Sequence, residues 1–180
     1  YTGPFLLAEG VHVVEYFSVD ERGNEEVHKL VRVAVDAVPP ISRLEISLPK
    51  ALLGDGTLLV SAKTRFEVVS RDPVSADVAS GVLERRFRIA DSTPAAGPFT
   101  TFIEPFALPG PDGLKIIEFL ALDRVRNTEV VKSSTALLDA APPKLGLCTP
   151  SLEEKGICRV FNGTVSVAGT VLDLHLKEWR

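Results

Sequence analysis

The sequence is poor in the residues that usually announce a chemistry. Its two cysteines are too few for a zinc site, which needs more ligands than they offer. One tryptophan and two tyrosines leave little with which to build a flat aromatic face for a sugar. No window approaches the roughly 20 uninterrupted apolar residues of a membrane-crossing helix, so no membrane insertion is expected. Positive charge is scarce too. The formal net charge is -4 and the pI about 5.4, and the only basic cluster, Glu84-Arg85-Arg86-Phe87-Arg88, is a short strand face of alternating charge. Nucleic acid is therefore not an expected partner, because phosphate binding needs a clustered basic face. No Gly-x-Ser-x-Gly, phosphate loop or His-Glu-x-x-His occurs, and His12, His28 and His175 are not spaced as metal ligands. No catalytic residue is assigned, and the expectation is that the chain is not an enzyme. Methionine is absent and Tyr1 opens in the middle of a recognisable pattern, which leads us to expect a segment of a longer protein.

What the sequence does contain is a long internal repeat. Residues 10–40 recur without a gap as residues 113–143, at an offset of 103, and eleven of the 31 aligned positions are identical. The identities include Gly10/Gly113, Glu15/Glu118, Asp20/Asp123, Asn24/Asn127, Glu26/Glu129, Asp36/Asp139 and Pro40/Pro143. Pro4-Phe5 matches Pro105-Phe106 once two residues are allowed for. A self-match of this length implies tandem modules of about 100 residues, of which one complete period fits. The expected division is the end of one module at 1–38, a complete module at 39–141, and the start of a third at 142–180.

Within each copy the pattern is that of a hairpin. Residues 11–19 alternate, with His12, Val14, Tyr16, Ser18 and Asp20 in one phase and Glu15 marking the other, the likelier outward one. Apolar residues occupy both phases, which predicts a strand central in its sheet or covered on both sides. Asp20-Glu21-Arg22-Gly23-Asn24 is turn chemistry, with Gly23 suited to a positive φ; Arg126 stands at that place in the second copy. Residues 27–35 return as the partner strand, and Pro39-Pro40 stops it in a stiff linker. Between the copies, strands are expected at 44–48, 58–60, 65–70, 82–89 and 99–103, separated by turns and without helical periodicity. About seven short strands per module predict an all-β sandwich.

The string Glu9-Gly-Val-His-Val-Val-Glu-Tyr-Phe-Ser-Val-Asp-Glu-Arg-Gly-Asn24, closing on Val35-Asp-Ala-Val-Pro-Pro40, resembles the immunoglobulin-like tandem repeats of bacterial secreted and cell-surface proteins. Asp77-Val-Ala-Ser-Gly-Val82 matches the early Ser-Gly-Val segment of those repeats, and the likeness covers most of residues 1–143. The resemblance implies immunoglobulin-like β-sandwich modules in tandem, outside the cell or at its surface, serving as a structural, spacer or adhesion segment. Its partners would be neighbouring modules or copies of the chain itself. Incomplete modules at the two ends could complete one another and build a fibre. The alternative is a carbohydrate- or protein-binding accessory module of a secreted enzyme, engaging a glycan or protein ligand through its loops or through an outer apolar stripe of Phe17 and Leu120.

Two groups of side chains could carry chemistry. Asp20, Asn24 and Glu26, repeated as Asp123, Asn127 and Glu129, offer hard oxygen ligands at a turn, and Asp72, Asp77 and Asp91 could lie near the same end of the sandwich. Calcium takes six to eight such oxygens, so Asp20, Asn24, Asp123, Asn127, Asp72 and Asp77 form a candidate calcium set; the competing reading is that Asp and Asn simply cap backbone amides in the turns. Cys148 and Cys158 flank a loop-like stretch. In an exported protein they form a disulfide worth about 2 to 3 kcal/mol, and in a reducing compartment two small buried apolar side chains.

Overall fold

The structure, a computed structural model, describes residues 2–91, 97–148 and 168–173. It is all-β: among the described residues there are twelve strands and no helix. The chain divides into two compact units, Tyr1–Asp139 and Ala140–Arg180.

The first unit opens with β1 (Gly10–Tyr16) and β2 (Lys29–Val35), an antiparallel pair in register from Gly10 opposite Val35 to Tyr16 opposite Lys29. This hairpin is a two-stranded sheet of its own. β3 (Ile41–Ile46) begins immediately after Pro40 and pairs antiparallel with β6 (Phe66–Arg71). A six-stranded sheet gathers the rest: β4 (Lys50–Leu52), β5 (Leu58–Val60), β7 (Val82–Ala90), β8 (Thr100–Thr101), β9 (Gly113–Asp123) and β10 (Lys132–Leu138), in the order β4-β5-β10-β9-β7-β8. β5 runs parallel to β10, and every other pairing is antiparallel. Residues 99–103 form a strand only at β8, and β4, a strand not expected from the sequence, has all three of its residues exposed.

The core lies between β3–β6 and the larger sheet, an arrangement consistent with a β-sandwich. Val60, Phe66, Leu108, Ile117, Ala136 and Leu138 form one buried cluster, and Val68, Phe102 and Phe119 a second, bridged by Leu44 and Phe106. The Phe106 ring stacks on Phe87 at 4.0 Å between centroids and on Phe66 at 5.8 Å. Burying a side chain the size of Ile117 contributes about 2 to 3 kcal/mol, so these two clusters dominate the cohesion of the module. β9, flanked by β10 and β7, is the central strand that its two-sided apolar pattern calls for: Ile116, Ile117, Phe119, Leu120, Ala121 and Leu122 are all buried.

β1, with the same pattern, has one neighbour only among the described residues, and Val11, Val13, Tyr16 and Phe17 are exposed. Covering on both sides is therefore not a property that the pattern confers by itself. In the second unit β11 (Lys144–Cys148) pairs antiparallel with β12 (Ala168–Leu172), Lys144 opposite Leu172. β11 follows Pro143 as β3 follows Pro40, so its pairing with β12 parallels that of β3 with β6. The Cys148–Cys158 disulfide expected in an exported chain lies outside the described residues.

Candidate functional site

The two Asp-to-Asn turns fold to the same hydrogen-bond pattern. In the first, Asp20 Oδ1 accepts from the backbone N–H groups of Arg22 and Asn24 at 2.9 and 2.8 Å, and Oδ2 accepts from Asn24 Nδ2 at 2.7 Å. In the second, Asp123 Oδ1 accepts from Val125 and Asn127 at 3.0 and 2.8 Å, and Oδ2 accepts from Asn127 Nδ2 at 2.7 Å. The Asp carboxylate thus closes a tight loop by occupying donors that no ladder partner reaches, which is why the pair recurs at this spacing. The position held by Gly23 has φ +84°, and Arg126 takes φ +77° at the same place, so the turn imposes the left-handed conformation even on a residue with a Cβ. Hydrogen bonding to Asn24, side chain first and backbone second, holds the Asp20 carboxyl below its ordinary range.

Among the described residues, only the second turn reaches beyond itself. Asn127 Nδ2 also donates to the backbone oxygen of Asp36, in the linker, at 3.0 Å. The Asp36 carboxylate accepts from Val38 N–H at 3.2 Å and from Ser80 N–H at 2.7 Å, and Asp72 Oδ2 accepts from Gly81 N–H at 2.6 Å. Gly81, at φ +86°, lets the chain turn there, and its carbonyl accepts from Arg124 N–H at 3.0 Å. Loop 72–81, the linker and the second turn are therefore tied at one place. Asp36, Asp72 and Asp123 each bring a carboxylate oxygen there, all within 4.8 Å of one another. Asp123 has no solvent exposure, and the other two are half-buried. Ser80 holds the Asp36 carboxyl below its usual pKa, its side chain first, and its N–H and that of Val38 after desolvation has opposed them.

Comparison of this chain with known proteins finds no match. That holds for family models, for curated proteins and for solved structures.

Of the six residues of the candidate calcium set, Asp72 and Asp123 meet at this joint, and Asn127 binds Asp123 and the linker there. Asp20 and Asn24 occupy the exposed first turn, and Asp77 is exposed with φ +62°. Asp36, expected as a linker residue, brings the third carboxylate. Its signal was the identity with Asp139 in the repeat.

The remaining candidates take other partners. Glu129 is buried and binds Ser42 N–H at 2.8 Å, Ala121 N–H at 3.2 Å and Lys132 Nζ at 2.6 Å, whereas Glu26 pairs with Ser18 and Lys29 in the open. Asp91 pairs with the buried Lys115 at 2.6 Å. His28 is held between Glu15 and Glu25 at 2.7 and 2.6 Å and stacks on Phe17, and those two carboxylates, Glu15 first, raise its pKa. The expected outer stripe of Phe17 and Leu120 does not exist as one surface: Leu120 is buried, while Phe17 is half-exposed against His28.

Proposed function

We propose that this chain is a non-enzymatic structural segment, a spacer or adhesion stalk of an extended extracellular bacterial protein, made of immunoglobulin-like modules in tandem. The observation that carries the reading is the tie from Asn127 to Asp36: a turn of one module grips the linker that leads out of the preceding hairpin. A spacer is served by such a joint, because modules on free linkers move relative to one another and hold no fixed orientation. The immunoglobulin-like assignment is supported by strand order. β7-β9-β10 corresponds to strands C, F and G of that fold, and β3–β6 to strands A and B of the facing sheet, with the isolated bridge from Phe66 to Phe106 in the place of strand E. The acidic balance and the lack of any described helix long and apolar enough to cross a membrane accord with it.

The test is Asn127→Ala in the full chain, read by NMR relaxation and amide exchange. In the parent protein the β1–β2 hairpin should tumble with the following module; in the variant the Val38 and Ser80 amides should exchange at least tenfold faster and the hairpin should move on its own. A hairpin that already tumbles independently in the parent would remove the basis for a stalk.

A further inference from the structure

We propose that the β11–β12 pair of one molecule covers the apolar face of the β1–β2 hairpin of another, joining molecules of this chain head to tail. Register defines the face. Val14 stands opposite Val31, His12 opposite Val33 and Gly10 opposite Val35, so Val14, Tyr16, Val31, Val33 and Val35 share one side of the hairpin, with Val11 and Val13 on the other. At the repeat offset of 103 the matching positions include Ile117, Phe119, Ala136 and Leu138, which are buried in the core of the complete module. In the first hairpin Tyr16 and Val31 are exposed, and Val14, Val33 and Val35 only half-buried. Phe5 is exposed where its match, Phe106, stacks on Phe66 and Phe87.

The complete module shows what covers such a face. There the cover is β3–β6: Phe66 and Val68 belong to the two core clusters, and Leu44 packs against both. β11–β12 is a pair of the same kind in the same register, with Lys144 opposite Leu172 where Ile41 stands opposite Arg71. By that register Leu145, Leu147 and Val171 occupy the places of Ser42, Leu44 and Ser70, which lie on the core side of β3–β6. β1 also has an outer edge without a strand among the described residues, where β9 has β7. An open edge beside an exposed apolar side is what a sheet offers to a partner.

Charge decides which surface meets the hairpin. Residues 1–36 carry seven acidic and three basic side chains, whereas residues 140–180 carry four acidic and five basic. Two hairpins face to face would set like charge against like, and a hairpin against the second unit does not. Because the two surfaces differ, the contact is heterologous, and each molecule that joins still offers one surface of each kind. The inference deepens the stalk reading by naming its partner as copies of the chain. It does not use the Asn127 tie, so a rigid joint in a chain that stays monomeric would keep the stalk and remove the assembly, and an assembling chain with a loose joint would do the reverse.

The test is sedimentation velocity on the full chain. The weight-average mass should rise at least about twofold between about 1 and about 100 µM. Tyr16→Lys blocks the hairpin face and Val171→Lys the covering pair; each variant alone should be monomeric, with melting curves to verify that it folds. Mixed in equal amounts, each supplies the surface that the other lost, so they should form a one-to-one dimer and grow no further. Independently of the variants, the amides of β1 and of β11–β12 in the parent should both exchange at least about tenfold more slowly at the higher concentration. A parent that remains monomeric, a Val171→Lys variant that still self-associates, two monomeric variants that ignore each other, or protection confined to β1 would each overturn the contact.

Discussion

The chain carries one hairpin pattern twice and buries it once. In β9–β10 the strand lies between β10 and β7 and under β3–β6; in β1–β2 the same register of pairs stands as a separate two-stranded sheet. Ile116 is 3 % exposed and its counterpart Val13 65 %, Phe119 is 5 % exposed and Tyr16 52 %. Even the paired charges change hands. Glu118 finds Arg88 on the neighbouring β7 at 2.6 Å, while Glu15 finds His28 on its own hairpin. Backbone pairing and turn geometry thus survive the loss of the covering sheet, and burial does not. The local pattern is self-sufficient for shape and insufficient for stability, as expected of an isolated hairpin.

The largest effect should come from the buried copy. Ile116→Ala should cost about 2 to 4 kcal/mol in urea unfolding, and Val13→Ala less than about 0.5 kcal/mol. Equal costs would show that the first hairpin is covered in solution after all. A smaller effect, opposite in sign, is expected at the turns. Arg126→Gly should stabilise the chain by about 0.5 to 1 kcal/mol by relieving the left-handed strain, net of the entropy that glycine brings to the unfolded state, whereas Gly23→Arg should destabilise the first turn. A loss on Arg126→Gly would mean that the arginine side chain matters more than its backbone.

The smallest effects are those of pH, and they separate the copies. In the covered module Arg86, with Thr101 after it, lowers the Glu84 pKa to about 2, below its ordinary 4.5. The stability that Glu84 contributes is present above pH 4.5 and lost as the pH falls toward 2, and Glu84→Gln should flatten acid unfolding in that window. In the uncovered hairpin the raised His28 pKa works in the other direction. Its contribution is present below pH 6.5 and lost as the pH rises through the folded value, which an NMR titration of the ring should place above 6.5. A titration at or below 6.5 would separate His28 from Glu15 and Glu25.

Much of this was legible in the chain because alternation, Asp-x-x-x-Asn spacing and Pro-Pro stops are local codes. The hairpins, the positive φ at Gly23 and the absence of helix from the described residues all follow from them. The joint was half legible. Asp72 and Asp123 stand out as acidic residues in loops, but Asp36 sits 36 residues from Asp72 and 87 from Asp123 in sequence, and no local pattern brings the three together. Phe17 and Leu120 mislead for the same reason, since equal places in a repeat promise equal backbone and not equal surroundings.

By itself the sequence determined the recurring unit, its strands and its turns, because backbone hydrogen bonding and side-chain alternation act over a few residues. Only the tertiary structure decided which copy is buried and which carboxylates meet. Both depend on how β3, β6, β7 and loop 72–81 pack from afar, and burial and charge proximity are properties of space rather than of spacing.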